Sequence, residues 1–154
     1  MKKYLPWILI LIPVFVFLQS LPFKFSGAPE TQHIFTTLGD WMVSIGLGAI
    51  GPSFADHGAY GVGIVELIAS ILLLIPVTRH WGALIGLGVL SGAIFFHLFT
   101  PLGVSVKYPG AGVEGDPTLF VMAVVAWLCL LVLVIRHRAS YPFTGGDAAA
   151  IGGH

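Results

Sequence analysis

Four long apolar stretches, separated by more polar segments, dominate the hydrophobic pattern of the chain. They cover residues 4–23, 59–77, 81–100 and 118–135, each 18 to 20 residues long. Because an α-helix rises 1.5 Å per residue, each stretch is long enough to cross a hydrocarbon core of about 30 Å. The pattern therefore predicts four membrane-spanning helices. Only residues 78–80 separate the second stretch from the third, which predicts an antiparallel hairpin.

A fifth segment, residues 30–50, has a different pattern. Its apolar residues recur with helical spacing along one face, whereas His33, Thr37 and Asp40 fall on the other face. A helix with one polar face is more typical of the membrane surface than of a span. The predicted fold class is thus all-α: a four-helix membrane bundle with an amphipathic interfacial helix on its outer face.

The distribution of positive charge favours four spans over five. With four spans, five of the seven lysines and arginines lie on the cytoplasmic side, and only Lys24 and Lys107 lie outside. With five spans this bias disappears. We therefore expect both termini in the cytoplasm. Residues 1–138 form a single membrane domain in this interpretation, and residues 139–154, rich in glycine and alanine, form a flexible cytoplasmic tail.

Composition excludes several classes of protein. Charged residues make up only 9% of the chain and the mean hydropathy is +0.95, whereas soluble domains carry about 25% charged residues. The net charge is zero, which argues against nucleic acid as a partner. Cys129 is the single cysteine, so an intrachain disulfide or a thiol pair is impossible. No paired histidine or cysteine spacing predicts a metal site. We therefore do not expect the isolated chain to act as an enzyme.

Two ionisable residues inside predicted spans are the candidates for chemistry, Glu66 and His97. Burying such a group costs roughly 2.5–3.5 kcal/mol at the centre of a span. Both are predicted in the outer half of neighbouring helices, on faces lined with small residues. We predict a hydrogen-bonded or water-bridged pair that exchanges protons, with Lys24 completing a ligand-binding site. The alternative is that the two residues only hold their helices together.

Small residues recur every fourth position in the third stretch. The segments 82–86 and 88–92 each begin and end with glycine. Such patterns let membrane helices approach closely. They predict tight packing between the second and third spans.

Several segments of the chain, within residues 4–138, resemble the DoxX-like family of small four-helix bacterial membrane proteins. The resemblance is carried by LPFKFSG (21–27), GVGIVEL (61–67), LLLIP (72–76), GALIGLG (82–88), SGAIFFH (91–97) and GDPTLF (115–120). It implies a multi-pass protein of the bacterial cytoplasmic membrane. Because the DoxD branch is described as a subunit of a thiosulfate:quinone oxidoreductase, it also implies a membrane redox setting and a quinone or lipid as ligand.

Three functions remain open from the sequence. The first is an accessory subunit of a quinone-linked redox complex, with a polar pocket around Glu66 and His97. The second is a binder or transporter of small molecules that acts as an oligomer. The third is a scaffold within a larger membrane complex. The expected partners are the lipid bilayer and either other membrane subunits or further copies of the chain.

Overall fold

The computed structural model describes residues 4–108, 112 and 114–142, and its regular elements are helices. A short 3-10 turn follows the last helix, and an isolated β-bridge joins Val106 to Asp116. The all-α prediction is confirmed. The α-helices are α1 (Leu5–Ser26), α2 (Pro29–Ser44), α3 (Gly51–Leu74), α4 (Arg79–Phe99) and α5 (Thr118–Arg136).

Four of these helices, α1, α3, α4 and α5, are long and apolar enough to cross a membrane. Large apolar side chains cover their outer surfaces, with Phe15 65% exposed and Phe99 67% exposed. Exposure of such an apolar surface to water is unfavourable, whereas lipid acyl chains accommodate it. The chain is therefore a multi-pass membrane protein built as a four-helix bundle, as predicted.

Some helix bounds differ from the prediction. α3 begins at Gly51 rather than residue 59 and ends at Leu74 rather than residue 77. It starts early because Pro52 suits a first helical turn, and it stops early because Pro76 favours extended backbone at Ile75. α1 continues to Ser26, where the left-handed Gly27 (φ 68°) ends it. Lys24 therefore belongs to α1 and does not follow it.

The close approach of α3 and α4 depends on Gly82. A Cβ at this position would lie 2.6 Å from the backbone nitrogen of Leu73 and 2.9 Å from the carbonyl oxygen of Ala69. This confirms tight packing at the first small-residue segment. The second segment behaves differently, since a Cβ at Gly88 or Gly92 would meet nothing within 4 Å. The prediction that this segment also packs against a helix is wrong, because both glycines face open space.

α2 folds back against the start of α3 through two glycines. A Cβ on Gly39 would lie 2.6 Å from the carbonyl oxygen of Gly51, and a Cβ on Gly51 would lie 2.5 Å from that of Gly39. The apolar face of α2 buries Phe35, Leu38 and Met42. The predicted amphipathic helix is present, but it ends at Ser44 instead of continuing to residue 50. Its position relative to the membrane surface stays a prediction.

The beginning of α1 and the end of α5 lie at the same end of the bundle. The Arg79 guanidinium lies 5.2 Å from the centre of the Trp7 ring, and the Tyr141 hydroxyl donates to the His80 carbonyl at 2.7 Å. Tyr141 is buried, so the part of the predicted tail that the structure describes, residues 139–142, packs against the bundle. The rest of the predicted tail, residues 143–154, lies outside the described residues. The cytoplasmic placement of both termini stays a prediction.

Candidate functional site

A cavity of about 590 Å³ lies at the end of the bundle that α2 covers. Pockets for small molecules are typically about 300–1,000 Å³, with mostly apolar walls and a few polar groups. The walls here are formed largely by aliphatic and aromatic side chains from all five helices. All three residues predicted for the site, Lys24, Glu66 and His97, line this one cavity.

An ion pair inside the cavity joins α1 to α3. Lys24 Nζ lies 3.0 Å from Glu66 Oε2, and the two side chains are only 15% and 9% exposed. A buried carboxylate or ammonium without a counter-charge is strongly destabilising, so each group stabilises the other where it is. Lys24 lies in the last turn of α1, where the helix dipole favours a positive charge. Lys24 and Glu66 are therefore direct partners. That they form a ligand-binding site together with His97 stays a prediction.

Ser20 connects the two charged groups. It accepts a hydrogen bond from Lys24 Nζ at 2.7 Å and lies one turn before Lys24 on α1. Its Oγ is also 2.8 Å from the Phe17 carbonyl and 3.4 Å from Glu66 Oε2. A hydroxyl has one proton to donate, so the shorter contact to Phe17 is favoured. Ser20 thus acts chiefly as an acceptor that positions the ammonium beside Glu66.

His97 has a different partner. Its Nδ1 is 2.7 Å from the carbonyl oxygen of Gly103, in the loop that follows α4. A carbonyl only accepts hydrogen bonds, so Nδ1 carries a proton and the neutral ring keeps its lone pair on Nε2. Phe120 of α5 packs edge-on against the imidazole, with 5.6 Å between the centres of the two rings. Within the described residues Nε2 has no hydrogen-bond partner, which leaves it available to a ligand.

Glu66 and His97 are not direct partners, so the predicted hydrogen bond between them is wrong. Gly82 packs against the segment from Ala69 to Leu73. Counted from this contact, Glu66 is about five residues away along α3 and His97 about fifteen along α4. The difference of roughly ten residues corresponds to about 15 Å along the bundle, further than one water molecule spans. The prediction placed them at similar heights because it began the second span at residue 59. Proton exchange at either residue stays a prediction.

Three glycines keep the cavity open. Gly61 of α3 and Gly88 and Gly92 of α4 line it, and a Cβ at any of them would meet nothing within 4 Å. Larger side chains at these positions would project into the space between the Lys24–Glu66 pair and His97. These glycines therefore set the width of the cavity without themselves being needed for helix contact.

Sequence reasoning missed four polar residues of the cavity, Gln19, Ser20, Glu30 and Thr31. Ser20 could have been found, since it precedes Lys24 by four residues and shares its helix face. Glu30 lies in the first turn of α2, and nothing in the sequence showed that α2 covers the cavity. Among the residues that the structure describes, no group of three His, Cys, Asp or Glu side chains could hold a metal ion.

Comparisons with known proteins give no family assignment. No family model matches the chain, and neither curated proteins nor solved structures match it. The likeness to the DoxX-like family therefore stays a resemblance, carried by the short segments of sequence that suggested it.

Proposed function

We propose that this chain binds a lipid-soluble molecule with a compact polar head, of which a quinone is the best-fitting class, as an accessory subunit of a membrane redox complex. One observation carries the proposal. A single apolar cavity connects a buried ion pair, Lys24–Glu66, with the Nε2 atom of His97, which has no hydrogen-bond partner in the part of the chain that the structure describes. The pair is neutral as a unit, so it favours an uncharged head that accepts and donates hydrogen bonds.

The residues of the cavity fit a quinone. Gly61, Gly88 and Gly92 leave a smooth apolar surface for a flat ring, and the surrounding aliphatic side chains suit an isoprenoid tail. The Lys24 ammonium is placed to donate to a carbonyl oxygen, and Glu66 is placed to accept from a hydroxyl. His97 offers Nε2 as an acceptor further along the cavity. When bound, a quinone supplies electron acceptance coupled to proton uptake.

The proposed role of the protein's own residues is to bind and to manage protons. Lys24, which Ser20 positions, holds the Glu66 carboxylate in place, so that it can exchange a proton with a bound head group. His97 is fixed by Gly103 in one tautomer, which gives its free nitrogen a defined direction. Electrons would come from another subunit, because this chain offers neither a thiol pair nor, in its described part, a metal cluster.

A purely structural role is the competing function, and the ion pair itself favours it. Lys24 and Glu66 join two helices, as a polar contact between membrane helices does. Such a role requires the charges but not the open cavity. The two functions are therefore separated by closing the cavity while leaving the ion pair intact.

The experiment measures binding of a short-chain quinone to the purified full-length protein in lipid nanodiscs. Gly92→Leu fills the cavity, and Gly48→Leu is a matched control at a position that also has open space but lies outside the cavity. We expect saturable binding to wild type and Gly48→Leu, and at least about a tenfold weaker affinity for Gly92→Leu, since a filled pocket excludes the ring. Equal binding by all three proteins, or none by wild type, would overturn the proposal.

A further inference from the structure

The helices α3 and α4 touch near the turn that joins them and stand apart further along. Their backbones meet where Gly82 packs against Ala69 and Leu73. About two to three turns further along α4, a Cβ at Gly88 or Gly92 would meet nothing within 4 Å. Carbon atoms in packed interiors lie about 3.5–4.0 Å apart, so no neighbouring element touches α4 at these two glycines.

The antiparallel register places Val65 and Gly61 of α3 across from these two glycines. The helices run in opposite directions, so about six residues beyond Gly82 on α4 match about six residues before its contact on α3, roughly 9 Å in each case. Gly88 is therefore level with Val65, and Gly92 with Gly61. A Cβ at Gly61 would also meet nothing within 4 Å. We call the space between these four residues the slot.

The slot connects the cavity with the outer surface of the bundle. All four of its residues line the cavity. Gly61 and Gly88 are nevertheless exposed, and Val65 is 38% exposed. A residue that lines a cavity and is also exposed lies at the mouth of that cavity. The slot is therefore a lateral opening between α3 and α4.

The slot is bounded at both ends. At one end lies the backbone contact of Gly82 with α3. At the other, Phe54 of α3 and Phe96 of α4 pack with ring centres 6.0 Å apart, and Phe35 of α2 lies 5.4 Å from Phe54. Helix α2 thus covers the end of the cavity, whereas its side between α3 and α4 is open in the described part of the chain.

The depth of the slot limits what can pass through it. Gly61 and Val65 lie near the middle of α3, and Gly88 and Gly92 near the middle of α4. Both helices are long and apolar enough to cross a membrane, so their middles lie in the hydrocarbon core. A charged head group is strongly disfavoured at this depth. The slot therefore suits a molecule with an uncharged head.

The cavity behind the slot provides hydrogen-bonding partners for such a head. Glu66, paired with Lys24, directly follows Val65 on α3. His97 is only 7% exposed, and its Nε2 has no hydrogen-bond partner among the described residues. Leaving a buried polar atom unpaired is costly, so an uncharged donor from a ligand fits there. The ligand argument thus rests on these side chains as well as on the glycines.

We propose that the slot is the route by which the ligand enters from the bilayer and the place where its tail stays, so that the ligand is an uncharged lipid with one long isoprenoid chain. The head lies in the cavity, and the chain leaves between the glycines of α3 and α4 to reach the acyl chains. A phospholipid is excluded, because its charged phosphate would have to cross at mid-membrane depth. This inference rests on the proposed function and adds the ligand's route and tail to it.

The test compares two ligands of the full-length protein in nanodiscs: a naphthoquinone with an isoprenoid tail, and the same ring with a methyl group in place of the tail. Gly88→Trp fills the slot. Ile64→Trp is the matched control, since Ile64 is 52% exposed at about the same level of α3 and lies outside the cavity wall. Gly88→Trp should bind the tailed ligand roughly tenfold more weakly, as overpacking predicts, and the tailless ligand normally. Ile64→Trp should bind both ligands as wild type does.

The outcomes separate the two proposals. If wild type binds neither ligand, the proposed function fails and this inference fails with it. If wild type binds both, and Gly88→Trp binds the tailed ligand normally or loses both ligands equally, the inference about the slot alone is overturned.

A second measurement on wild type covers a Gly88→Trp protein that does not fold. A tailed naphthoquinone with a photoreactive diazirine on the tail, next to the ring, is crosslinked in nanodiscs. We expect labelling at Val65 and Gly88 that excess unlabelled tailed quinone removes. Competed labelling confined to α1 and α5, or labelling at the slot that the excess does not reduce, would overturn the inference.

Discussion

Lys24 and Glu66 form an ion pair that crosses from α1 to α3, with 3.0 Å between Nζ and Oε2. Both side chains are largely removed from solvent, and Ser20 is the shared neighbour that orients the ammonium. The pair lies in the cavity wall, so it stabilises the bundle and at the same time presents a donor and an acceptor to whatever enters. Its two roles respond differently to substitution.

Breaking the pair from one side should destabilise the protein more than removing both charges. Lys24→Met leaves the Glu66 carboxylate buried without a counter-charge, which we expect to cost about 3–5 kcal/mol in free energy of unfolding. The double variant Lys24→Met/Glu66→Leu should recover most of that loss. Unfolding in mixed micelles measures the free energy of unfolding of the single and the double variants. Additive effects of the two single substitutions would show that the pair is not coupled.

The glycines of α4 should divide into two groups according to what faces them. Gly82→Ala forces a Cβ against the α3 backbone and should destabilise by about 1–3 kcal/mol, the usual cost of overpacking. Gly92→Ala enters open space and replaces a poor helix former, so stability should stay equal or rise by up to about 1 kcal/mol. The same unfolding measurement compares the two variants. Similar losses of stability at both sites would contradict the close contact of Gly82 with α3 and the open space at Gly92.

Tyr141 should behave as part of the folded bundle and not as part of a tail. Tyr141→Phe removes the hydrogen bond to the His80 carbonyl and should cost about 1 kcal/mol. Tyr60→Phe is the matched control, since Tyr60 lies on the surface, where its ring stacks on Phe25. Hydrogen exchange of the backbone amides at the start of α4 reports the local effect. Unchanged exchange in Tyr141→Phe would show that this hydrogen bond does not stabilise the start of α4.

The loop before α5 should loosen in acid through Asp116. Hydrogen bonds from the side chain and backbone of Thr118 hold the pKa of Asp116 below its ordinary value, with Tyr108 adding a further one. A carboxyl group with a lowered folded-state pKa stabilises the fold above its ordinary pKa. That contribution is lost as the pH falls through the lowered value. Protease sensitivity of the loop should therefore rise at acidic pH in wild type.

Asp116→Asn is the control for this loop. An asparagine does not titrate in this range, so the acid-dependent rise in cleavage should disappear in the variant. If the variant and wild type show the same pH dependence, Asp116 is not the group responsible.

The broad fold followed from the sequence because hydrophobicity and length determine a membrane span almost completely. The apolar stretches around residues 4–23 and 118–135 differ from α1 and α5 by only a few residues. The early start of α3 was missed because the segment after Gly51 mixes polar and apolar residues, so hydropathy alone did not extend the helix there. Local capping, which the prolines and Gly27 control, decided these bounds.

The candidate site was predicted in its members and not in its contacts. Lys24, Glu66 and His97 stood out because charged groups in apolar spans are costly and need partners. Which partner each one takes depends on the register between helices, set by backbone contacts such as Gly82 against Ala69 and Leu73. A shift of two or three helical turns moved His97 away from Glu66. No pattern in a single amino-acid sequence reveals the register between two helices directly.

Photocrosslinking with a photoreactive quinone analogue tests the central claim most directly, because it identifies which surface of the protein the ligand touches. We predict labelling of the cavity wall, at Met122 of α5 and around Gly92 of α4, and its loss when unlabelled quinone competes. Labelling confined to the outer groove around Phe99 and Leu128, or labelling that excess quinone does not reduce, would contradict the account.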